Sequence, residues 1–248
     1  MQILLSCAKT MADSTGTAVP LTTLPPFETE ASLLALQLAS LSTEEVEQLL
    51  RVNRQIASEN QLRYRHFHDA DNPQLPALLA YTGIVFKRIA PDDFSADDFR
   101  YAQAHLNITS FLYGLLRPLD LIHNYRLEGD AVLPDNGGQS MFAYWQSRLT
   151  GLLLERVKAD DGILVNLASE EMKRLFDWKR VCREVKVITP EFRVWKGNKL
   201  RSIVVYTKMC RGEMTRYLLK GRITDPEALK AFTWEGFRWD DDAGMFTL

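Results

Sequence analysis

Apolar residues recur along this chain in two rhythms. One is the short continuous run of a buried strand, at residues 2–6, 106–111 and 163–166. The other is the three- and four-residue spacing of an amphipathic helix. Leu33, Leu34, Leu36 and Leu38 give residues 27–40 an apolar face, and Val46, Leu49, Leu50, Ile56 and Ala57 predict one further helix beyond Ser42. Ser42 and Glu45 are spaced as a capping box, in which the hydroxyl takes an early amide and the carboxylate reaches back. Residues 76–81 read as a short helix and 84–86 as a short strand. Ser95 caps a helix over 96–105, and residues 141–158 are amphipathic and helical. Residues 185–192 and 200–207 are rich in β-branched and aromatic types and read as strands, with Gly197-Asn198 predicting a hairpin between them. Residues 208–222 read as a helix. Thr224-Asp225-Pro226-Glu227 carries a cap, an early proline and an acidic first turn, the signature of another helix start. Residues 237–239 and 245–247 predict a last pair of strands. Strands and helices mix without a regular βαβ rhythm, so the expectation is α+β: a single compact domain over residues 1–248.

Composition narrows the class. Apolar residues make up 46% of the 248, enough for a sizeable core. The start of the chain has no basic leader, and no run of about 18 apolar residues follows, so neither secretion nor membrane association is expected. Cys7, Cys182 and Cys210 match no zinc or redox spacing. Reduced thiols and a cytoplasmic location are the expectation. His66-Phe67-His68 offers two metal ligands without a spaced acidic partner. No metal and no cofactor are expected, and the expected state is a monomer.

Charge changes the picture more. The net charge of −2 argues against a nucleic-acid partner. Its distribution argues the other way. Residues 172–222 hold fifteen Lys and Arg against four Asp and Glu, an excess of +11, which is half of the chain's 30 basic residues. Such segregation is the electrostatic footprint of an anionic partner, and Trp178, Trp195 and Tyr206 are interleaved with it. On a helix from Lys208, the residues Lys208, Arg211 and Thr215 share one face. A turn near Gly221 and the second capped helix would make a helix–hairpin–helix-like element over 208–232, which holds phosphates on amides and flanking cations without reading bases. The Gly-x-Gly of that motif is absent, and a solvated helical hairpin gives the same pattern.

Three other stretches combine polar and apolar residues in ways that suggest a site. Ser6-Cys7-Ala8-Lys9 has the Ser-x-x-Lys spacing in which a lysine activates a serine, without the companion motifs of that chemistry. Its plainer readings are a polar turn, or Ser6 and Lys9 lining a pocket. Arg117, Asp120, Arg126 and Glu128 stand among apolar residues around Tyr113, so they either pair internally or face a site. Asn166-Leu167-Ala168-Ser169-Glu170-Glu171 ends a buried strand, and Ser169 is placed to cap a helix. Cys210, between Lys208 and Arg211, is placed for thiolate stabilisation if it is exposed.

Together these stretches resemble the YaaA family of bacterial peroxide-stress proteins. The resemblance rests on Ser6-Cys7-Ala8-Lys9-Thr10, Leu112-Tyr113-Gly114-Leu115-Leu116-Arg117-Pro118-Leu119-Asp120-Leu121, Tyr125-Arg126-Leu127-Glu128-Gly129, Asn166 to Glu171, and Arg211-Gly212-Glu213-Met214-Thr215-Arg216. It implies an α+β domain with a basic cleft and a helix–hairpin–helix-like element. It also implies binding of double-stranded or branched DNA, and a role in surviving peroxide and limiting iron-dependent damage. Carried over by position, Lys9, Arg117, Arg126, Lys208, Arg211, Arg216, Lys220 and Arg222 would meet DNA. Ser6, Tyr113, Asp120, Glu128, Asn166, Ser169 and Glu171 would line a pocket. Those uncharged and acidic groups leave an alternative open, an enzyme acting on a nucleotide-like or other anionic substrate. No catalytic residue is assigned.

Overall fold

Leu4 and Leu5 have no exposed surface, and the strand that carries them is the middle of the main sheet. In this computed structural model, which describes residues 1–248, β1 is Gln2–Leu5. A long loop leads to α1 (Glu28–Ser40), α2 (Thr43–Leu50) and α3 (Arg54–Arg65). Next come β2 (Leu75–Pro76), α4 (Ala77–Ala80), α5 (Ile84–Ile89) and α6 (Ala96–His105). β3 (Leu106–Ser110), β4 (Gly114–Leu116) and β5 (Leu121–Ile122) precede the long α7 (Met141–Ala159). β6 (Ile163–Asn166), α8 (Glu170–Lys173), α9 (Trp178–Glu184) and β7 (Lys186–Ile188) follow. The chain closes with β8 (Phe192–Lys196), β9 (Lys199–Arg201), α10 (Val204–Lys220), β10 (Arg238–Asp240) and β11 (Met245–Thr247).

The main sheet has the order β4-β3-β1-β6-β7. β1 pairs in parallel with β3 and with β6, and β6 pairs in parallel with β7. Only the edge strand β4 is antiparallel. A second sheet, β10-β11-β8-β9, carries the basic hairpin. One contiguous core of 61 buried apolar residues runs from Met1 to Phe246, so the chain is one α+β domain. No helix is long and apolar enough to cross a membrane.

The two ends of the main sheet are treated differently. At the N-terminal ends of β1 and β3 a buried polar belt closes the structure. Arg156 donates to Asn107 at 2.8 Å, Asn107 donates to Gln2 at 3.0 Å, and Gln2 donates to Asp160 at 2.9 Å. The opposite edge, where β1, β3 and β6 end, is left open.

Several elements differ from the sequence expectation, each for a local reason. Residues 84–86 are helical rather than extended, because α5 packs along α10, and packing overrides the β preference of so short a run. The single helix expected over 46–57 is two, α2 and α3. Arg51 takes a left-handed conformation (φ 53°), and Asn53 accepts from the Ile56 amide at 3.0 Å to start α3. The hairpin turn stands where predicted, with Lys196 opposite Lys199. Both strands differ, however: Lys186–Ile188 of the expected 185–192 strand joins the main sheet while Phe192–Lys196 forms the hairpin, and the second strand is short, with Val204, Val205 and Tyr206 beginning α10 instead. Asp225 accepts from the Glu227 amide, but Pro226–Ala231 is a 3-10 helix, not the second α-helix of a helical pair.

α10 is fixed by packing and by charge. A Cβ on Gly212 would stand 2.3 Å from the Val85 carbonyl oxygen, so only glycine lets α10 lie this close to α5. Arg216 pairs with Asp93, Lys220 reaches Asp98 at 3.0 Å, and Arg222 reaches Asp98 at 2.9 Å. Asp98 also closes the capping box with Ser95. Burial pushes the Asp98 carboxyl up, but hydrogen bonds from Ser95 and Lys220, with the Lys220 charge, bring it down to about 2. An unfolded Asp titrates near about 3.9. The folded state therefore gains from this carboxylate above about pH 4 and loses that gain as pH falls toward about 2. In urea melts between pH 2 and 7, Asp98→Asn should be less stable than the parent at pH 7 and should flatten the acid limb. An unchanged acid limb would show that the network does not set it.

Candidate anion-binding site

The open edge of the sheet is a cavity of about 390 Å³. Its floor is built where the parallel strands end. Leu5, Ser6 and Cys7 leave β1, Phe111 follows β3, and Leu167 and Ser169 follow β6. Helix α5 supplies an apolar wall of Ile84, Val85 and Phe86, and Arg126, Glu128 and Glu171 come from loop and helix around it. The Gly212 contact brings Lys208 and Arg211 of α10 to its rim. Gly83 permits a second close approach, since a Cβ there would meet the Ala8 Cβ at 2.7 Å.

Ser6 and Ser169 tie the ends of β1 and β6 together. The Ser169 amide donates to the Ser6 hydroxyl oxygen at 2.9 Å. Ser169 makes no capping bond to its own helix, contrary to the cap reading. Lys9 does not turn to Ser6. Its ammonium lies 2.7 Å from Glu128, and Arg126 reaches the same carboxylate at 3.3 Å. Serine activation by Lys9 therefore has no geometric basis here. The Arg126 Nε is buried without a hydrogen-bond partner.

Arg211 is the exceptional group. It is half-buried and forms no ion pair or side-chain hydrogen bond. Burial pushes its guanidinium pKa down, and the Glu170 charge only partly offsets this. A guanidinium partly withdrawn from water and left without a partner is stabilised by any anion that enters the cavity. Lys208, one helical turn earlier, is exposed and also free of ion pairs.

Other expected site residues lie elsewhere. Tyr113 is fully buried, and its hydroxyl accepts from the His123 amide at 3.0 Å. Asp120 accepts from Thr23 at 2.6 Å and from the Arg117 amide at 2.7 Å. Asn166 accepts from the Ala168 amide at 3.2 Å and donates to Thr189 at 3.3 Å. All three brace the core rather than line the cavity. Arg117 donates to the Gln103 and Ala104 carbonyls at the end of α6, beside the N-terminal end of β3 and so at the far end of the sheet. Arg216, Lys220 and Arg222 are held by Asp93 and Asp98, which lie too far back in the sequence for a charge count over 172–222 to register. His66 and His68 are engaged separately, with Asp69 and with Ser32. What sequence reasoning missed is the α5 wall. A glycine within a helical pattern at 212, with the charges on either side of it, was the available signal.

A family model described as peroxide stress protein YaaA matches residues 1–243. The chain belongs to the YaaA family. Its relatives include a UPF0246 protein of Bacteroides thetaiotaomicron, 62% identical over 241 residues, which covers 97% of this chain and 94% of the relative. A UPF0246 protein of Porphyromonas gingivalis is 49% identical, covering 96% and 93%. One of Burkholderia cenocepacia is 38% identical over 245 residues, covering 97% and 94%. The family places the chain among peroxide stress proteins.

In this YaaA-family chain the thiols can be ranked. Burial pushes the Cys7 thiol up to about 12 against a hydrogen bond from Thr109. Burial, then the Glu213 charge, pushes Cys210 up to about 12. Cys210 is fully buried, so Lys208 and Arg211 do not make it a thiolate. Cys182 is exposed. With iodoacetamide at pH 8, mass spectrometry should find one carboxamidomethyl group on the native chain, at Cys182, and three after unfolding in urea. Rapid native labelling of Cys7 or Cys210 would contradict this ranking.

Proposed function

We propose that this peroxide stress protein binds double-stranded or branched DNA through its phosphate backbone, without reading bases, and thereby limits iron-dependent oxidative damage. One observation carries the reading. Seven exposed cations of the 172–222 stretch have no ion-pair partner: Lys179, Arg183, Lys186, Lys196, Lys199, Arg201 and Lys208. Three of them sit on the β8–β9 hairpin, next to the half-exposed Trp195. Cations that stabilise nothing within the fold are available to displace counterions from a phosphate backbone. The paired set, Arg216, Lys220 and Arg222, contributes to holding α10 and is less available. Lys9, Arg117 and Arg126 are likewise engaged within the chain. On this reading α10 and the 3-10 helix after it stand where a helix–hairpin–helix-like element was anticipated, and contact rests on side-chain cations more than on a helical pair.

Fluorescence anisotropy against salt tests the proposal. The logarithm of affinity should fall by about 0.9 per log unit of salt for each phosphate neutralised. The triple variant K196A/K199A/R201A should bind every sequence more weakly, by roughly tenfold or more, with a shallower slope. Affinity indifferent to salt, or an unaffected triple variant, would sink it.

A second reading, an enzyme acting on a nucleotide-like or other anionic substrate, is favoured by the convergence of Ser6, Lys9, Arg126, Glu128, Ser169 and Glu171 on one cavity. There Lys9 and Arg126 would meet the anion, and the carboxylates its hydrogen-bond donors. Mass spectrometry of nucleotides and sugar phosphates incubated with the protein tests for turnover. No product from any of them would end this reading.

A further inference from the structure

The cavity sits at a reversal in the winding of the sheet. After β1 the chain places β3 on one side, then crosses to place β6 and β7 on the other. Loops leaving β1 and β6 therefore depart in opposite directions and leave a crevice at the carboxyl ends of the strands. In wound parallel sheets that crevice is where ligands, nucleotides among them, are held.

The lining has two kinds of surface. Eleven of its 21 residues are apolar, which suits a flat, poorly hydrated body rather than a bare inorganic ion. Its polar groups divide in turn. Arg211 and Lys208 on α10 are cations without partners. Glu171 is an acceptor without an ion-pair partner, and Glu128, held by Lys9 and Arg126, keeps further lone pairs; both suit ribose hydroxyls or an exocyclic amine. The volume of about 390 Å³ lies within the range of small-molecule sites, about 300–1,000 Å³, and is far too small for a duplex.

We propose that this cavity is a nucleotide-binding site, with the phosphate between Arg211 and Lys208, the base against the α5 wall, and Glu128 and Glu171 taking its hydroxyl or amine donors. This rests on the part of the second reading that makes the cavity a ligand site, does not require turnover, and is independent of DNA binding by the hairpin. The phosphate would complete the only half-buried guanidinium on the rim that lacks a partner. The nucleotide has two possible sources: a free mononucleotide, or a nucleotide unstacked from a DNA strand.

Isothermal titration calorimetry with AMP, adenosine and inorganic phosphate tests the site. AMP should bind one to one, more tightly than either fragment. Arg211→Met keeps the volume and removes the charge, and should weaken AMP about tenfold or more. Lys208→Gln, at an exposed position that does not endanger folding, should weaken it several-fold. A duplex carrying 2-aminopurine at a mismatch separates the sources. A fluorescence rise on binding that AMP reverses supports a nucleotide of a strand, and AMP binding without such a rise supports the free one. Phosphate binding with no gain from the adenosine moiety would overturn the nucleotide while leaving an anion site. No binding of any probe, or unchanged AMP affinity in both variants, would overturn the site altogether.

Discussion

β1 is held in parallel between β3 and β6, and most of the molecule's layout follows from that pairing. Parallel neighbours must all end at the same edge. The turns that leave them are thereby gathered at one place, and the residues in those turns, Ser6, Phe111 and Ser169, become neighbours without any local reason to meet. At the opposite edge the same rule gathers Gln2 and Asn107, and there a buried Arg156 donates to Asn107, Asn107 donates to Gln2, and Gln2 donates to Asp160. One end of the sheet is thus sealed by mutual hydrogen bonding. The other retains groups whose bonding is incomplete, Arg211 and the Arg126 Nε among them. A polar surface with unfilled hydrogen-bonding capacity is where a ligand can contribute most.

The second constraint is the approach of α10 to α5 at Gly212. It places one face of α10 at the cavity rim, while the ion pairs to Asp93 and Asp98 fix another against α6. The basic residues of the 172–222 stretch therefore perform two separate tasks. Arg216, Lys220 and Arg222 are spent within the fold. Lys208 and Arg211 face the cavity, and the hairpin cations face water. An excess of charge in a segment is a statement about composition. Whether it becomes a surface potential depends on partners that the segment does not contain.

Much of the local structure was legible in the sequence because its causes are local. The capping box at Ser42, the cap at Ser95, the helix over 96–105 and the hairpin turn at Gly197-Asn198 all depend on residues a few positions apart. Even there, Val204, Val205 and Tyr206 show a limit, since a strand-like triplet at the head of a long, well-anchored helix becomes helical. The candidate site was legible as a set of motifs but not as a place. Tyr113, Asp120 and Asn166 are polar residues in apolar surroundings, and that pattern is the same for an internal brace and for a pocket wall. Only three-dimensional pairing separates Asp120, occupied by Thr23 and the Arg117 amide, from Glu128, which is reached by Lys9 and Arg126 at the cavity. The α5 wall was invisible because its cause is a backbone contact between residues 85 and 212.

The central position of the first strand also governs how the molecule comes into being. The Gln2–Asn107 hydrogen bond closes a loop of 105 residues, and the Ser6–Ser169 bond closes one of 163. During synthesis the first must wait until Asn107 has left the ribosome, and the second until Ser169 has, about two thirds of the way along the 248 residues. Until then β1 is an apolar segment with both backbone edges unpaired, the kind of intermediate that aggregates or recruits a chaperone. Folding should accordingly be slow and late. The cavity is complete only when α10 lies on the assembled sheet, since Lys208 and Arg211 form part of its lining.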